Sequence, residues 1–237
     1  MKKVLVTGST QGIGKAIAKA LTEAGYEVCV HCSGDLAKAE RVREEIGAAK
    51  AVVCDLSKMD EVNGLYEKTG AVDCLILNAS VQYKEAWMEI GEETLETQLS
   101  VNLKSTLKLM QAYYPAMKEK GFGRIVTIGS VNQYRQHPEL TLYSATKCAV
   151  MSLVKNIAKQ VAPFGVTVNN VAPGAIATPR NQSVQDDPKK RRQVENSIPL
   201  GRFGQPEDIV GAVLLLCGEQ GAYITGADII IDGGMHL

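Results

Sequence analysis

The sequence carries no excess of either charge: 26 Lys and Arg stand against 26 Asp and Glu. No basic field therefore points to nucleic acid or to an anionic membrane, and a small-molecule partner is favoured. Apolar runs of membrane-spanning length are missing as well. Met1-Lys2-Lys3 leads at once into Val4-Leu5-Val6 and a Thr-Gly turn, too short an apolar run for a signal peptide, so a cytoplasmic protein is expected. Histidine is sparse. His31, His137 and His236 form no ligand cluster, and the cysteines include no second pair at metal-ligand spacing, so no metal site is readable. Cys29-Val30-His31-Cys32 does spell C-x-x-C, but residues three apart in a strand point to opposite faces, which argues against a redox pair. Cys29, Cys54, Cys74, Cys148 and Cys217 lie in apolar runs and Cys32 at a strand end, as suits reduced, mostly buried thiols. Linkers rich in Ser or Pro, low-complexity tracts and repeat periods are also absent, so residues 1–237 read as one domain.

What the chain does have is alternation. Strand-like apolar runs (3–7, 27–31, 51–54, 74–78, 124–130, 167–171 and 228–231) are separated by segments of helical period. That pattern predicts an α/β fold, a single-domain doubly wound parallel sheet of the Rossmann type with helices on both faces. The connection 175–205 is long and polar, as a substrate lid would be. Within it Asp186-Asp187-Pro188 opens Lys189-Lys190-Arg191-Arg192 as a capped helix start, read as a solvated face in preference to an anion-binding surface.

Two stretches carry chemistry. Thr7-Gly8-Ser9-Thr10-Gln11-Gly12-Ile13-Gly14 lies directly after the first strand and before the first helix. Glycines there let the backbone approach a phosphate, and the helix start offers unpaired N–H groups, so a dinucleotide is the expected ligand. Tyr143-Ser144-Ala145-Thr146-Lys147 places a phenol and an ammonium four residues apart on one helix face. An adjacent cation favours phenolate and moves a Tyr toward proton exchange at neutral pH. Tyr114 and Lys118 share the spacing, so spacing alone does not identify the centre.

The T-G-x-x-x-G-x-G turn together with Y-x-x-x-K resembles the short-chain dehydrogenase/reductase family, closest in pattern to its 3-oxoacyl carrier-protein reductase-like members, and the resemblance runs along nearly the whole chain. It implies a catalytic set of Asn102, Ser130, Tyr143 and Lys147. Ser130 would orient the substrate, Asn102 would hold a relay water, and Lys147 would bind the nicotinamide ribose and stabilise the Tyr143 phenolate. It also implies cofactor contacts at Gly8, Thr10, Gln11, Gly12, Ile13 and Gly14, at Asp55-Leu56, at Asn78-Ala79 with Tyr143 and Lys147, and at Pro173, Gly174, Ile176 and Thr178. Blander readings stand beside these: Asp55 and Ser130 as turn residues, Asn102 as a helix irregularity, Pro173-Gly174 as a turn. Ser80 stands where the family's N-A-G turn has glycine, so a positive φ there would be hindered. A homotetramer is implied as well.

The acidic position that NAD-users carry after the second strand falls on Cys32, so no carboxylate blocks a 2′-phosphate. Ser33 and a charged His31 can help hold one, and NADP(H) is slightly preferred over NAD(H). The expected reaction is hydride transfer between nicotinamide and the carbonyl/alcohol of a small polar substrate: a polyol, keto sugar or sugar acid. Asn132, Gln133, Arg135, Gln136 and His137 in the loop before Tyr143 favour that class over an acyl chain. Against a carrier protein, the basic docking positions read Gly121 and Pro163-Phe164-Gly165, leaving Lys118 and Lys120. A 3-oxoacyl carrier-protein reductase is the alternative, and a non-catalytic dinucleotide sensor a more remote one. Carbon–carbon double-bond reductases are disfavoured, because they separate Tyr and Lys more widely.

Overall fold

A computed structural model describes all 237 residues. Seven parallel strands stand in the order β3-β2-β1-β4-β5-β6-β7. They are β1 (Lys3–Val6), β2 (Glu27–Cys32), β3 (Lys50–Val53), β4 (Cys74–Leu77), β5 (Gly123–Ile128), β6 (Val166–Pro173) and β7 (Asp228–Ile231). All seven expected strands are present, with ends shifted by no more than two residues. Because both faces are covered, the strands read as continuous apolar runs whose side chains divide by parity. Val4, Val6, Val28, Val30, Cys32, Cys74 and Ile76 enter one core layer under α1 (Gly12–Glu23), α2 (Leu36–Ile46) and α10 (Pro206–Cys217). Leu5, Cys29, Leu75, Leu77 and Ile125 enter the other, under α6 (Ser105–Lys120) and α7 (Thr141–Val161). Cys29 and Cys32 thus lie in different layers. All six thiols are free, and Cys148, expected in the core, is instead exposed on α7.

The remaining helices are short: α3 (Met59–Asn63), α4 (Leu65–Thr69), α5 (Glu92–Leu99), α8 (Gln182–Gln185) and α9 (Pro188–Glu195). The lid therefore contains two helices, and α9 starts as expected, with the Asp187 carboxylate accepting from Lys189 N (3.0 Å) and Lys190 N (3.2 Å). Between β1 and β4 the strand order reverses. At that point the connections leaving the two strands diverge and open a crevice at their C-terminal ends.

The opposite end of the sheet is tied by Asp73. Its buried carboxylate accepts from Lys3 N (2.7 Å) and pairs with Lys120. Burial pushes this carboxyl up, but the Lys120 ammonium and the Lys3 N–H outweigh it and hold it below the ordinary 3.8. A carboxyl depressed in the folded state contributes stability above its unfolded pKa and loses it as pH falls through the folded one. Asp73→Asn should cost about 1–3 kcal/mol at pH 7 in urea unfolding. The gap from wild type should narrow in melts below pH 3.8; a gap constant with pH would contradict this role.

Candidate active site

The crevice is a cleft of about 940 Å³ lined by Tyr143, Ser130 and every expected cofactor residue except Lys147. Lys147 and Asn102 lie behind its wall and are buried. The Tyr114–Lys118 pair lies elsewhere: Lys118 stacks 4.2 Å over the Phe164 ring, near the start of β6.

The phosphate end is built by close approach. Gly8 has φ +63°, and a Cβ on Gly14 would come within 2.3 Å of Gly8 O and 2.4 Å of Asn78 Nδ2. Asn78 Nδ2 donates to Thr7 O (2.9 Å) and Gly8 O (3.0 Å), while Thr7 Oγ1 accepts from Asn78 N and Ala79 N. The turn after β4 is thereby stapled to the turn after β1. Lys15 N is the first amide of α1 to find its carbonyl, on Gln11 O (3.2 Å), so the amides of Gly12, Ile13 and Gly14 remain open to a pyrophosphate. His31 is a second staple. Its Nδ1 accepts from Gly8 N (3.0 Å), so Nε2 carries the proton and donates to Cys54 O (3.0 Å). Burial pushes this imidazole down to about 4. The expectation that a charged His31 helps hold a 2′-phosphate is therefore corrected: the ring is neutral at pH 7 and both nitrogens are committed.

At the adenosine side, Asp55 Oδ1 accepts from Ser57 N (3.0 Å) and Ser57 Oγ (2.8 Å), so this carboxylate is first of all a turn former. Cys32 is buried and its thiol donates to Asp35 O (2.9 Å). Asp35 caps α2 by accepting from Lys38 N (2.8 Å), and Lys38 Nζ reaches back to Gln11 Oε1 (2.8 Å) on the cleft wall. Lys38 had no sequence signal; it is one lysine on a charged helix. After β6, where Thr178 Cγ2 would lie 3.2 Å from a Cβ on Gly12, the Ile176 amide has no protein partner and Thr178 Oγ1 none either, so both can meet a carboxamide. A dinucleotide fits this set of donors.

Around the phenol, Lys147 Nζ donates to Ile128 O (2.7 Å) and lies 5.6 Å from the Tyr143 ring centroid. Burial alone would push the phenol up. Lys147, Arg180 and the nearby Ser130 and Ser80 side chains outweigh burial and hold it below 10. The ammonium is also lowered, by burial first and by Arg180, against the raising effect of Tyr143. Asn102 sits in a π-type turn, Ser100–Lys104, the irregularity its position suggested. Its amide exchanges two bonds of 2.9 Å with the Val81 backbone and donates to Thr146 Oγ1 (3.2 Å), bridging the β4 loop to α7.

Ser130 is the N-cap of a 3-10 turn, accepting from Asn132 N (3.2 Å) while its own N–H donates to Gln133 Oε1 (2.8 Å). Its hydroxyl proton is left for Tyr143 or a substrate. Gln133 Nε2 continues to Asp228 Oδ2 (3.1 Å), which fixes the turn. The S-x-x-Q spacing of a capping box could have revealed Gln133 from sequence. Ser80 needs no left-handed backbone, since only glycines have positive φ. The expected hindrance does not arise; instead its carbonyl and hydroxyl accept from Arg180 Nη2 at 2.6 and 3.1 Å.

A family model described as enoyl-(acyl carrier protein) reductase matches residues 8–236. The 3-oxoacyl-[acyl-carrier-protein] reductase FabG of Staphylococcus epidermidis is 36% identical over 244 aligned positions, covering 100% of this chain and 99% of that protein. Among solved structures, a 3-oxoacyl (acyl-carrier-protein) reductase from Agrobacterium tumefaciens C58 with NADP bound superposes with a TM-score of 0.92 at 36% identity, covering 98% of this chain and 93% of that one. A protein from the same species, provisionally assigned as a gluconate dehydrogenase, gives a TM-score of 0.93 at 27% identity, with 99% and 96% covered. With the glycine turn, the seven-stranded sheet and the Ser130, Tyr143 and Lys147 cluster in place, the chain belongs to the short-chain dehydrogenase/reductase family, oxidoreductases that act on CH–OH or carbonyl groups with a nicotinamide cofactor.

Proposed function

We propose that the cleft interconverts a carbonyl and its alcohol on a small polar substrate, a polyol, keto sugar or sugar acid. The supporting observation is the wall beyond Tyr143, where Ser80, Gln82, Lys84, Asn132, His137 and Arg180 offer hydrogen bonds to hydroxyls or a carboxylate. When bound, the nicotinamide supplies or takes up hydride. Ser130 and Tyr143 would hold the substrate oxygen, and Tyr143 Oη would give the proton in reduction and accept it in oxidation. Lys147 supports the second role by favouring phenolate, and Asn102 keeps the Val81 loop against α7 behind the phenol. Exposed Leu200, Tyr223 and Leu237 suit a subunit interface in a homotetramer, and six free thiols suit the cytoplasm.

A 3-oxoacyl carrier-protein reductase is the second reading, favoured by the FabG identity and by apolar Val184, Val194, Phe203 and Met235 in the cleft. Two features weigh against it. The corner where a carrier protein would dock holds Gly121 and Phe164, and of the basic positions read there Lys120 is neutralised by Asp73, leaving Lys118. A comparison of kcat/KM for a ketoacyl carrier-protein thioester with that for a panel of keto-sugar acids decides between the two. The keto-sugar acids are expected to win. A thioester advantage above about a hundredfold, roughly 2.7 kcal/mol of transition-state binding, would reverse the assignment.

For the cofactor, the reading is a modest preference for NADP(H), supported by Lys38 and Ser33 at the rim and by Asp35 being committed to its cap. Lys38→Glu should weaken NADP⁺ binding by about tenfold or more, roughly 1.4 kcal/mol, with a much smaller effect on NAD⁺. Equal losses for the two dinucleotides, or a wild type that binds NAD⁺ more tightly, would remove the preference.

A further inference from the structure

Arg180 stands out among the cations of the lid. Lys190, Arg191 and Arg202 each pair with an acid, at 3.5, 2.8 and 2.8 Å. Arg180, Lys189 and Arg192 pair with none, and of these three only Arg180 lines the cleft. One of its nitrogens, Nη2, is held by Ser80 O and Ser80 Oγ, and its other donors have no protein partner. Its side chain is exposed to the cleft that Tyr143 and Ser130 also line. Ser80 lines that cleft too, and the Arg180 charge is among the influences that lower the Tyr143 phenol. Arg180, Ser80 and Tyr143 therefore face one cleft, with the guanidinium fixed on its Ser80 wall.

That placement selects a ligand. A guanidinium fork with free donors matches a carboxylate, and the match is two-pronged where a lysine's would be a point charge. The surroundings favour an anion too: residues 175–205 hold six Lys and Arg against three Asp and Glu, in a chain whose total is zero. A phosphate of the cofactor is the competing occupant, because a Cβ on Gly12 would lie 3.2 Å from Thr178 Cγ2 and 3.9 Å from Pro179 Cδ, and the dinucleotide affinity of an Arg180 variant separates the two.

We propose that Arg180, held by Ser80, anchors a substrate carboxylate close to the reacting carbon, so that the preferred substrates are 2- or 3-oxo acids and the matching hydroxy acids. This deepens the polar-substrate reading above and rests on it. A thioester has no free carboxylate for Arg180 to hold, so the same residue discriminates against the ketoacyl alternative.

The test pairs each anion with a neutral counterpart of the same skeleton: acetoacetate with acetoacetamide, and 2-keto-D-gluconate with D-fructose. Reduction kinetics are measured for wild type, Arg180→Gln and Arg180→Lys, with the NADP⁺ dissociation constant measured in parallel. In wild type, kcat/KM should favour the anion of at least one pair by about thirtyfold or more, as expected for a paired fork. Arg180→Gln should bring that ratio to near one, chiefly through KM for the anion, and Arg180→Lys should leave it in between. The dinucleotide constant should move by less than about threefold, because the expected phosphate contacts are the amides of Gly12, Ile13 and Gly14 and not Arg180. A ratio that survives Arg180→Gln overturns the proposal, as does a loss of dinucleotide binding that matches the loss of anion selectivity. A wild type that shows no anion preference in either pair also overturns it. In that last case the polar-substrate reading stands if fructose is reduced, and it falls only if the thioester outruns every sugar by more than about a hundredfold.

Discussion

The site depends on one buried ammonium. Placing Lys147 between the end of β5 and the first turns of α7 removes a charge from water at a cost of several kcal/mol, and this is tolerated only where the charge is well partnered. The Ile128 carbonyl is one partner and the Tyr143 phenol the other. Because Ile128 ends the strand that leads to Ser130, the same bond that satisfies the lysine sets α7 against β5. Ser130 and Tyr143 are thereby brought to the same point of the cleft. Charge and geometry have a common origin here, since without a cation the buried phenol would be pushed upward and the helix would lose its anchor to the strand.

Around this pair the molecule divides into a common part and a particular one. The common part consists of close packing, with Gly8 and Gly14 against the Asn78-Ala79 turn, His31 tying three strand ends together and Asn102 tying a loop to a helix. These contacts leave no room for a Cβ or no unused hydrogen-bonding group. The particular part is made of contacts that the family motifs do not include: Ser80, which stands in place of glycine, with Arg180 on it, Gln133 behind Ser130 and Lys38 beside Gln11. Ser80, Arg180 and Lys38 face the open cleft, so they can vary without disturbing the fold, whereas Gln133 is tied to Ser130 and Asp228.

Sequence revealed the first part better than the second, for physical reasons. Parallel strands buried on both faces must be nearly all apolar, so β1 and β4 were readable as runs. Tyr143 and Lys147 were readable because a helix puts them on one side, although only the fold separates them from Tyr114 and Lys118. His31 was misread because its role depends on which backbone groups reach its ring, and no local pattern encodes that. Cys148 lies in an apolar stretch yet faces outward, since α7 buries Val150, Met151 and Val154 and turns that position to solvent. Arg180 and Ser80 are a hundred residues apart, and their contact exists only because the turns after β4 and β6 both open onto the crevice.

The most direct test of the account is the pKa of the Tyr143 phenol. Subtracting the ultraviolet titration of Tyr143→Phe from that of wild type isolates it from the other seven tyrosines. The account predicts an inflection below 10 in wild type. It predicts further that the same subtraction made in a Lys147→Met background moves the inflection upward, because burial then acts with only Arg180 and the serines opposing it. An inflection at or above 10 in wild type, or one that does not move when Lys147 is removed, would contradict it.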